Sequence, residues 1–312
     1  MGIIMHAAEI EIIMLRAISN LTPSNDLSPG PLQDAADKCK QIMLNKPVVF
    51  LGWMMLDWLV PYLLWISLTL LLASALTRIS RIAVPGWALF AFFWFGQIDH
   101  YLAIEDYFNV ALFSAAGLLS FYMAWMVMNR KFSSRAFYWA SYAAAVCGIV
   151  YFPFAEISAL QMGLIGFTTQ ITARTLQFLS VPVIMESWNI MSLNGRSVQI
   201  ILACTAIESI ALFAGVILSV QAPLIRKLAA LAASTLSIYL LNIMRNGFVL
   251  MAYGWSWFGE GSFDIAHNII AKIGSTIALL AISYLVFLLL PELLSIIDDL
   301  AAEIKPRRGD TA

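Results

Sequence analysis

Three side chains late in this chain have the types and spacing for nucleophilic catalysis: Cys204, Arg245 and His267. A thiol that attacks a carbonyl needs a base to take its proton and an acid to protonate the departing amine. An imidazole does both near neutral pH. The oxyanion that forms needs donors or a cation beside it, and a guanidinium supplies both. Each of the three lies near one end of its own apolar segment. Cys204 precedes Arg226 by 22 residues, Arg245 follows Arg226 by 19, and His267 precedes Pro291 by 24. At the helical rise these separations are roughly 29–36 Å, about one hydrocarbon thickness. The three side chains are therefore expected in one layer, at one mouth of a helical bundle.

Further polar residues extend this set. Glu208 lies four residues after Cys204, one turn deeper on the same face, where a carboxylate is costly unless paired. It is expected to orient Arg245, His267 or a group on another helix. Asn242 precedes Arg245 by three residues and Asn246 follows it, a polar patch on an otherwise apolar segment. Each residue also has a bland reading. A cysteine in a membrane helix is most often an inert small hydrophobe, and Cys147, mid-span, fits that reading, as does Cys39 in a polar tail. Arg245 suits a snorkelling anchor equally well. His267 suits the start of a span that Asp264 caps. Asp57 is a second intramembrane acid without an identifiable partner, and Lys272 is placed to snorkel.

The elements that must position these residues are membrane helices. The chain is 61% hydrophobic and 12% charged, with a mean hydropathy of +0.82. Soluble domains carry about twice that share of charge, and several apolar runs exceed the length that spans a bilayer. The fold class is all-α polytopic, with about seven transmembrane helices, or eight if residues 1–17 also span. The expected spans are Val48–Leu76, Ile82–Ile98, Tyr107–Met128, Ala136–Phe152, Gln199–Val220, Leu228–Arg245 and His267–Leu290. Met1–Asn20 reads as an amphipathic interfacial helix. It carries Glu9, Glu11 and Arg16 and no small-residue cleavage site, unlike a signal peptide. Leu21–Pro47 reads as a polar linker.

Basic residues follow spans one, three, five and seven, which makes those connections cytoplasmic by the positive-inside rule. Lys38, Lys40 and Lys46, ahead of span one, run against that trend. The layer holding Cys204, Arg245 and His267 is then expected at the extracellular face. Before span five, Val183–Met191 and Arg196–Ile201 flank Asn194-Gly195, which predicts a small hairpin on the outer surface. Leu160–Leu179 is too polar for a plain span and suits an interfacial or re-entrant helix. A net charge of −1 gives no footing for nucleic acid. Three scattered cysteines and no HExxH motif give none for a metal, and no cofactor is expected.

Three stretches carry a family resemblance: Ala203-Cys204-Thr205-Ala206-Ile207-Glu208-Ser209, Leu241-Asn242-Ile243-Met244-Arg245-Asn246 and Ala266-His267-Asn268. Their order resembles that of the exosortase/archaeosortase family: cysteine, arginine on the next span, histidine at the start of the one after. Leu179-Ser180-Val181-Pro182-Val183 ahead of the turn resembles the family's approach to its cysteine. Pro291-Glu292 resembles the archaeosortase A branch. Thr205-Ala206 departs from the Ser-Gly that often follows an exosortase cysteine, which favours the archaeal branch. The resemblance covers about Leu160–Leu293. It implies a catalytic region over residues 153–293; hydropathy and charge set a tail (1–47), a four-span scaffold (48–152) and a cytoplasmic tail (294–312) around it.

The resemblance also implies an activity. Family members act on secreted proteins with a C-terminal signal made of a short motif, a transmembrane helix and a basic tail. For the archaeosortase A branch the motif is Pro-Gly-Phe and the substrates include S-layer glycoproteins. The helix is removed and the new C-terminus passes to a membrane lipid, so a phospholipid is the implied acceptor. Carried over, Cys204 is the nucleophile, Arg245 the transition-state stabiliser and His267 the acid/base. Some archaeal members use arginine in the third role, which makes Lys272 a minor rival.

The residues leave other classes open. A transporter needs mid-membrane charges and usually internal repeats. Asp57 and Glu208 fit the first, and the two halves show no repeat. A rhomboid-like GxSG is lacking, since Gly254-Trp255-Ser256 has no following glycine. A non-catalytic assembly factor would tolerate loss of all three residues.

Overall fold

The computed structural model describes residues 60–103, 107–129 and 135–304. The expected N-terminal helix and linker, Cys39, Asp57, the start of span one and the basic tail lie outside these residues. Helices α1 (Val60–Thr77), α2 (Ser80–Ala103), α3 (Tyr107–Asn129), α4 (Arg135–Glu156) and α5 (Ser158–Phe178) lead to a small sheet. Its strands are β1 (Ile184–Ser187), β2 (Ile190–Leu193) and β3 (Arg196–Gln199). Helices α6 (Ile207–Ser219), α7 (Leu224–Gly254), α8 (Ala271–Leu289) and α9 (Glu292–Ile304) follow.

Each of the seven expected apolar segments contains a helix among the described residues, although span five becomes helical only from Ile207. Among the described residues, five stretches are long and apolar enough to cross a membrane: Ser80–Ala103, Asn109–Asn129, Arg135–Glu156, Leu224–Gly254 and Gly259–Leu289. Tyr62–Thr77 and Ile207–Ser219 are apolar but shorter. The chain is an all-α polytopic membrane protein.

The described residues fall into two compact units, one within 1–66 and 89–120, the other within 67–88 and 121–312. In the first, aromatic rings do the packing. Trp94 stacks on Phe113 at 5.2 Å and meets Phe90 and Phe93 edge-on. The second unit holds every candidate site residue. Its most extensive helix contact is α6 on α4. A Cβ added at Gly215 would lie 2.5 Å from the Ala143 carbonyl, so only glycine permits this approach. Phe213 and Ile217 of α6, Ile238 of α7, Ile282 and Val286 of α8, and Leu293 and Ile296 of α9 share one buried cluster. Pro291, which cannot extend α8, separates it from α9. Glu292 then opens α9 and pairs with Arg226 at the start of α7.

Helix α5 accounts for its own polarity. It is continuous over 21 residues and is not among the helices apolar enough to span. Thr168, Thr169 and Thr172 face inward and are fully buried. The Thr169 and Thr172 hydroxyls donate to carbonyls four residues back, which pairs them inside an apolar setting. The predicted turn is present: Asn194 and Gly195 have φ of 53° and 76°, the two left-handed residues a type I′ hairpin requires. The sheet has one more strand than expected, because Val183–Met191 folds back at Trp188-Asn189 and supplies both β1 and β2. Met191, Leu193 and Val198 are buried beneath it with Ile165, Leu176 and Leu250.

Candidate functional site

The segment carrying Cys204 is not the helical start of a span. Span five is expected from Gln199, but α6 begins at Ile207. Two local choices cause the delay. Residues 196–199 are taken up by β3, and Ala206 adopts φ +63°, a left-handed conformation that reverses the chain ahead of the helix. Cys204 therefore closes a single 3₁₀ turn, Leu202–Cys204. Its N–H donates to the Ile201 carbonyl at 2.9 Å. The Thr205 hydroxyl locks the same turn by donating to the Leu202 carbonyl at 2.6 Å. The Cys204 side chain is half-buried and free of any disulfide.

Helix α7 holds this turn by its main chain. Asn242 and Asn246, one turn apart on α7, both donate from Nδ2 to the Cys204 carbonyl, at 2.7 and 2.9 Å. Both asparagines are buried, with 8% and 6% exposure. Cys204 therefore lies level with Arg245, which the two amides flank in sequence. Arg245 is half-buried, and its Nε is fully shielded from solvent with no acceptor among the described residues. A buried guanidinium donor without a partner is costly unless a ligand completes it.

The helix that carries Arg245 is longer than the sequence count implies. Arg245 is not at the end of its helix, since α7 runs on to Gly254. Nine further residues add about 14 Å. The β2–β3 hairpin closes over that extension. The Asn194 side chain donates to the Gly254 carbonyl at 3.3 Å. Arg196 donates to the Tyr253 carbonyl at 3.1 Å and lays its guanidinium 5.0 Å from the centre of the Tyr253 ring. Leu193 fills the space that a Cβ on Gly254 would need.

His267 does not open its span either. Asp264 has helical φ and ψ rather than cap geometry, and the helical run begins at Gly259. His267 falls in a π-helical stretch, Ile265–Ile270, of the kind that recurs at functional sites. Its ring stacks on Phe263 at 5.2 Å, and Phe263 meets Tyr253 edge-on at 5.5 Å. A run of ring contacts thus links Arg196 of the hairpin to the imidazole. The charges of Arg245, Lys272 and Asp264 all act on His267, which puts the guanidinium and the imidazole in one neighbourhood.

Glu208 takes the third of its expected partners, a group on another helix. It is bonded to Tyr151 of α4. Asn246 is the residue whose weight the sequence reading understates, although its spacing of four from Asn242 already placed the two amides on one face. An open apolar cavity of about 370 Å³, lined by Phe167, Ile210, Ala232, Thr235, Leu236 and Tyr239, lies on the α5–α6–α7 side of this unit.

The family profile described as Transmembrane exosortase matches residues 48–287. The chain is 30% identical over 260 residues to Archaeosortase A of Haloferax volcanii, covering 70% of this chain and 83% of that protein. It is also 30% identical over 252 residues to Archaeosortase A of Natronomonas pharaonis, covering 70% and 79%. No solved structure matches. A profile that covers most of the chain, and relatives aligned over most of their own length, place this protein in the exosortase/archaeosortase family of multi-pass membrane sorting enzymes.

Proposed function

We propose that the protein is a membrane-embedded cysteine transpeptidase with Cys204 as nucleophile, Arg245 as oxyanion stabiliser and His267 as acid/base. One observation carries this reading: the double amide clamp that fixes the Cys204 main chain to the turn of α7 bearing Arg245. His267 takes the thiol proton, and the sulfur attacks the scissile carbonyl, forming a C–S bond. Arg245, with its unpaired Nε, donates to the oxyanion. The tetrahedral adduct collapses, the C–N bond breaks and His267 returns the proton to the leaving amine. A nucleophilic head group of a membrane lipid then attacks the thioester. It gives its proton to His267, the C–S bond breaks, and His267 passes that proton to the departing sulfur.

The substrates are secreted proteins with a C-terminal sorting signal of the Pro-Gly-Phe type, S-layer glycoproteins among them. The site lies at the extracellular side of the membrane, where such a signal and a lipid head group meet. Replacing Cys204 by Ser or Ala in the cell tests this. Full-length, unlipidated substrate accumulates in that variant, and normal maturation would refute the proposal.

A further inference from the structure

The sheet that leads into the Cys204 turn has two unlike edges. Its strand order is β1-β2-β3, so β1 and β3 are both outermost. Natural sheets blunt exposed edges with bulges, prolines or lysines. The β1 edge carries a bulge between Met185 and Ser187. The β3 strand, Arg-Ser-Val-Gln, carries none of these devices.

The register fixes which main-chain groups β3 leaves free. Leu193 pairs with Arg196 across the two-residue turn, and Met191 with Val198. Ladder bonds alternate along an antiparallel pair, so they fall at 193/196, 191/198 and 189/200. The Ile200 N–H to Asn189 carbonyl bond of 2.8 Å confirms that phase. The N–H and C=O groups of Ser197 and Gln199 therefore point away from β2. Among the described residues no hydrogen bond occupies them. Both residues are exposed. This open row ends five residues before Cys204. The hairpin is tied to the end of a membrane-spanning helix, where unpaired main-chain groups find less water to satisfy them.

We propose that the β3 edge receives the substrate as an added strand, with the main-chain N–H and C=O groups of Ser197 and Gln199 pairing to an extended segment at the cleavage site. The assignment rests on Cys204 being the nucleophile. Strand addition draws its affinity from main-chain bonds. Only a segment whose own N–H and C=O groups are free can make them, so the edge selects an extended stretch and rejects the helix that follows it. The chain running from β3 into the 3₁₀ turn then delivers the scissile carbonyl to the sulfur.

Two measurements test this. The first is amide hydrogen exchange on the Cys204→Ala protein in micelles, with a synthetic peptide of Pro-Gly-Phe, an apolar helix and a basic tail. Exchange at Ser197 and Gln199 slows at least ~10-fold, while Val198, already bonded to β2, is unchanged. No slowing at 197 and 199, or no binding of the peptide, overturns the proposal. The second is Gln199→Pro, which deletes one outward N–H and no ladder bond. KM for the same peptide rises about 10-fold and kcat stays within ~3-fold. An unchanged KM, or a loss in kcat alone, overturns the proposal. Processing that persists in Cys204→Ser would instead sink the functional reading. Processing abolished there but normal in Gln199→Pro would sink only the strand addition.

Discussion

The amide clamp on Cys204 makes a prediction with a distinctive energetic pattern. The Cys204 carbonyl accepts from both Asn242 and Asn246. Replacing either asparagine by alanine leaves the other donor in place. Each single change then costs one net hydrogen bond, about 1 kcal/mol. Replacing both strands a carbonyl in a part-buried site, and orphaning a buried acceptor costs about 1–3 kcal/mol beyond the lost bonds. The double variant is therefore less stable than the sum of the singles by at least ~1 kcal/mol. Reversible SDS titration in mixed micelles measures this cycle. Substrate processing measured in parallel falls in kcat more than in KM if, as proposed, the clamp positions the nucleophile and does not bind the substrate. Strict additivity, or a single variant as impaired as the double, would refute the idea that the two amides share one acceptor to hold the turn.

Ala206→Gly relieves a left-handed φ of 63° and raises stability by up to ~1 kcal/mol, read as a higher midpoint in the same titration. Arg245→Lys keeps the charge but lacks a planar, multiply donating head. kcat falls about 100-fold or more, as for loss of an oxyanion donor, in a single-turnover assay with the peptide. Glu292 lies outside the spans. The N–H at its own helix start and the Arg226 side chain hold its carboxyl below the usual range. A depressed carboxyl stabilises the fold above its unfolded pKa and loses that contribution as pH falls through the folded one. Melting curves of the wild type and Glu292→Gln therefore diverge near neutral pH and converge in acid.

Much of this architecture is legible in composition. Long apolar runs leave a membrane chain few options but helices, and Asn194-Gly195 encodes its turn through the two residues best able to adopt left-handed angles. The local geometry around the cysteine is hidden for the same kind of reason. Position 206 carries the left-handed conformation on alanine, where a glycine would have signalled the break between Cys204 and α6. No proline or glycine marks the fold-back at Trp188-Asn189 that makes three strands from two runs. The polarity of α5 suggests an interfacial or re-entrant helix, and its sequence does not reveal that Thr169 and Thr172 turn inward and bond their own helix. Arg245 interrupts the apolar run of α7 without ending it, since residues 248–252 continue that run and the helix goes on to Gly254. Tyr151 as the partner of Glu208 depends on how α4 packs against α6, which no local spacing reveals.

The most direct measurement is intact-protein mass spectrometry of the purified enzyme, acid-quenched during turnover of the sorting-signal peptide without lipid. A hydroxylamine-labile acyl adduct on Cys204, absent from Cys204→Ala and depleted when lipid is added, is the predicted result. Peptide cleavage with no adduct on Cys204, or cleavage that continues in Cys204→Ala, would contradict the account.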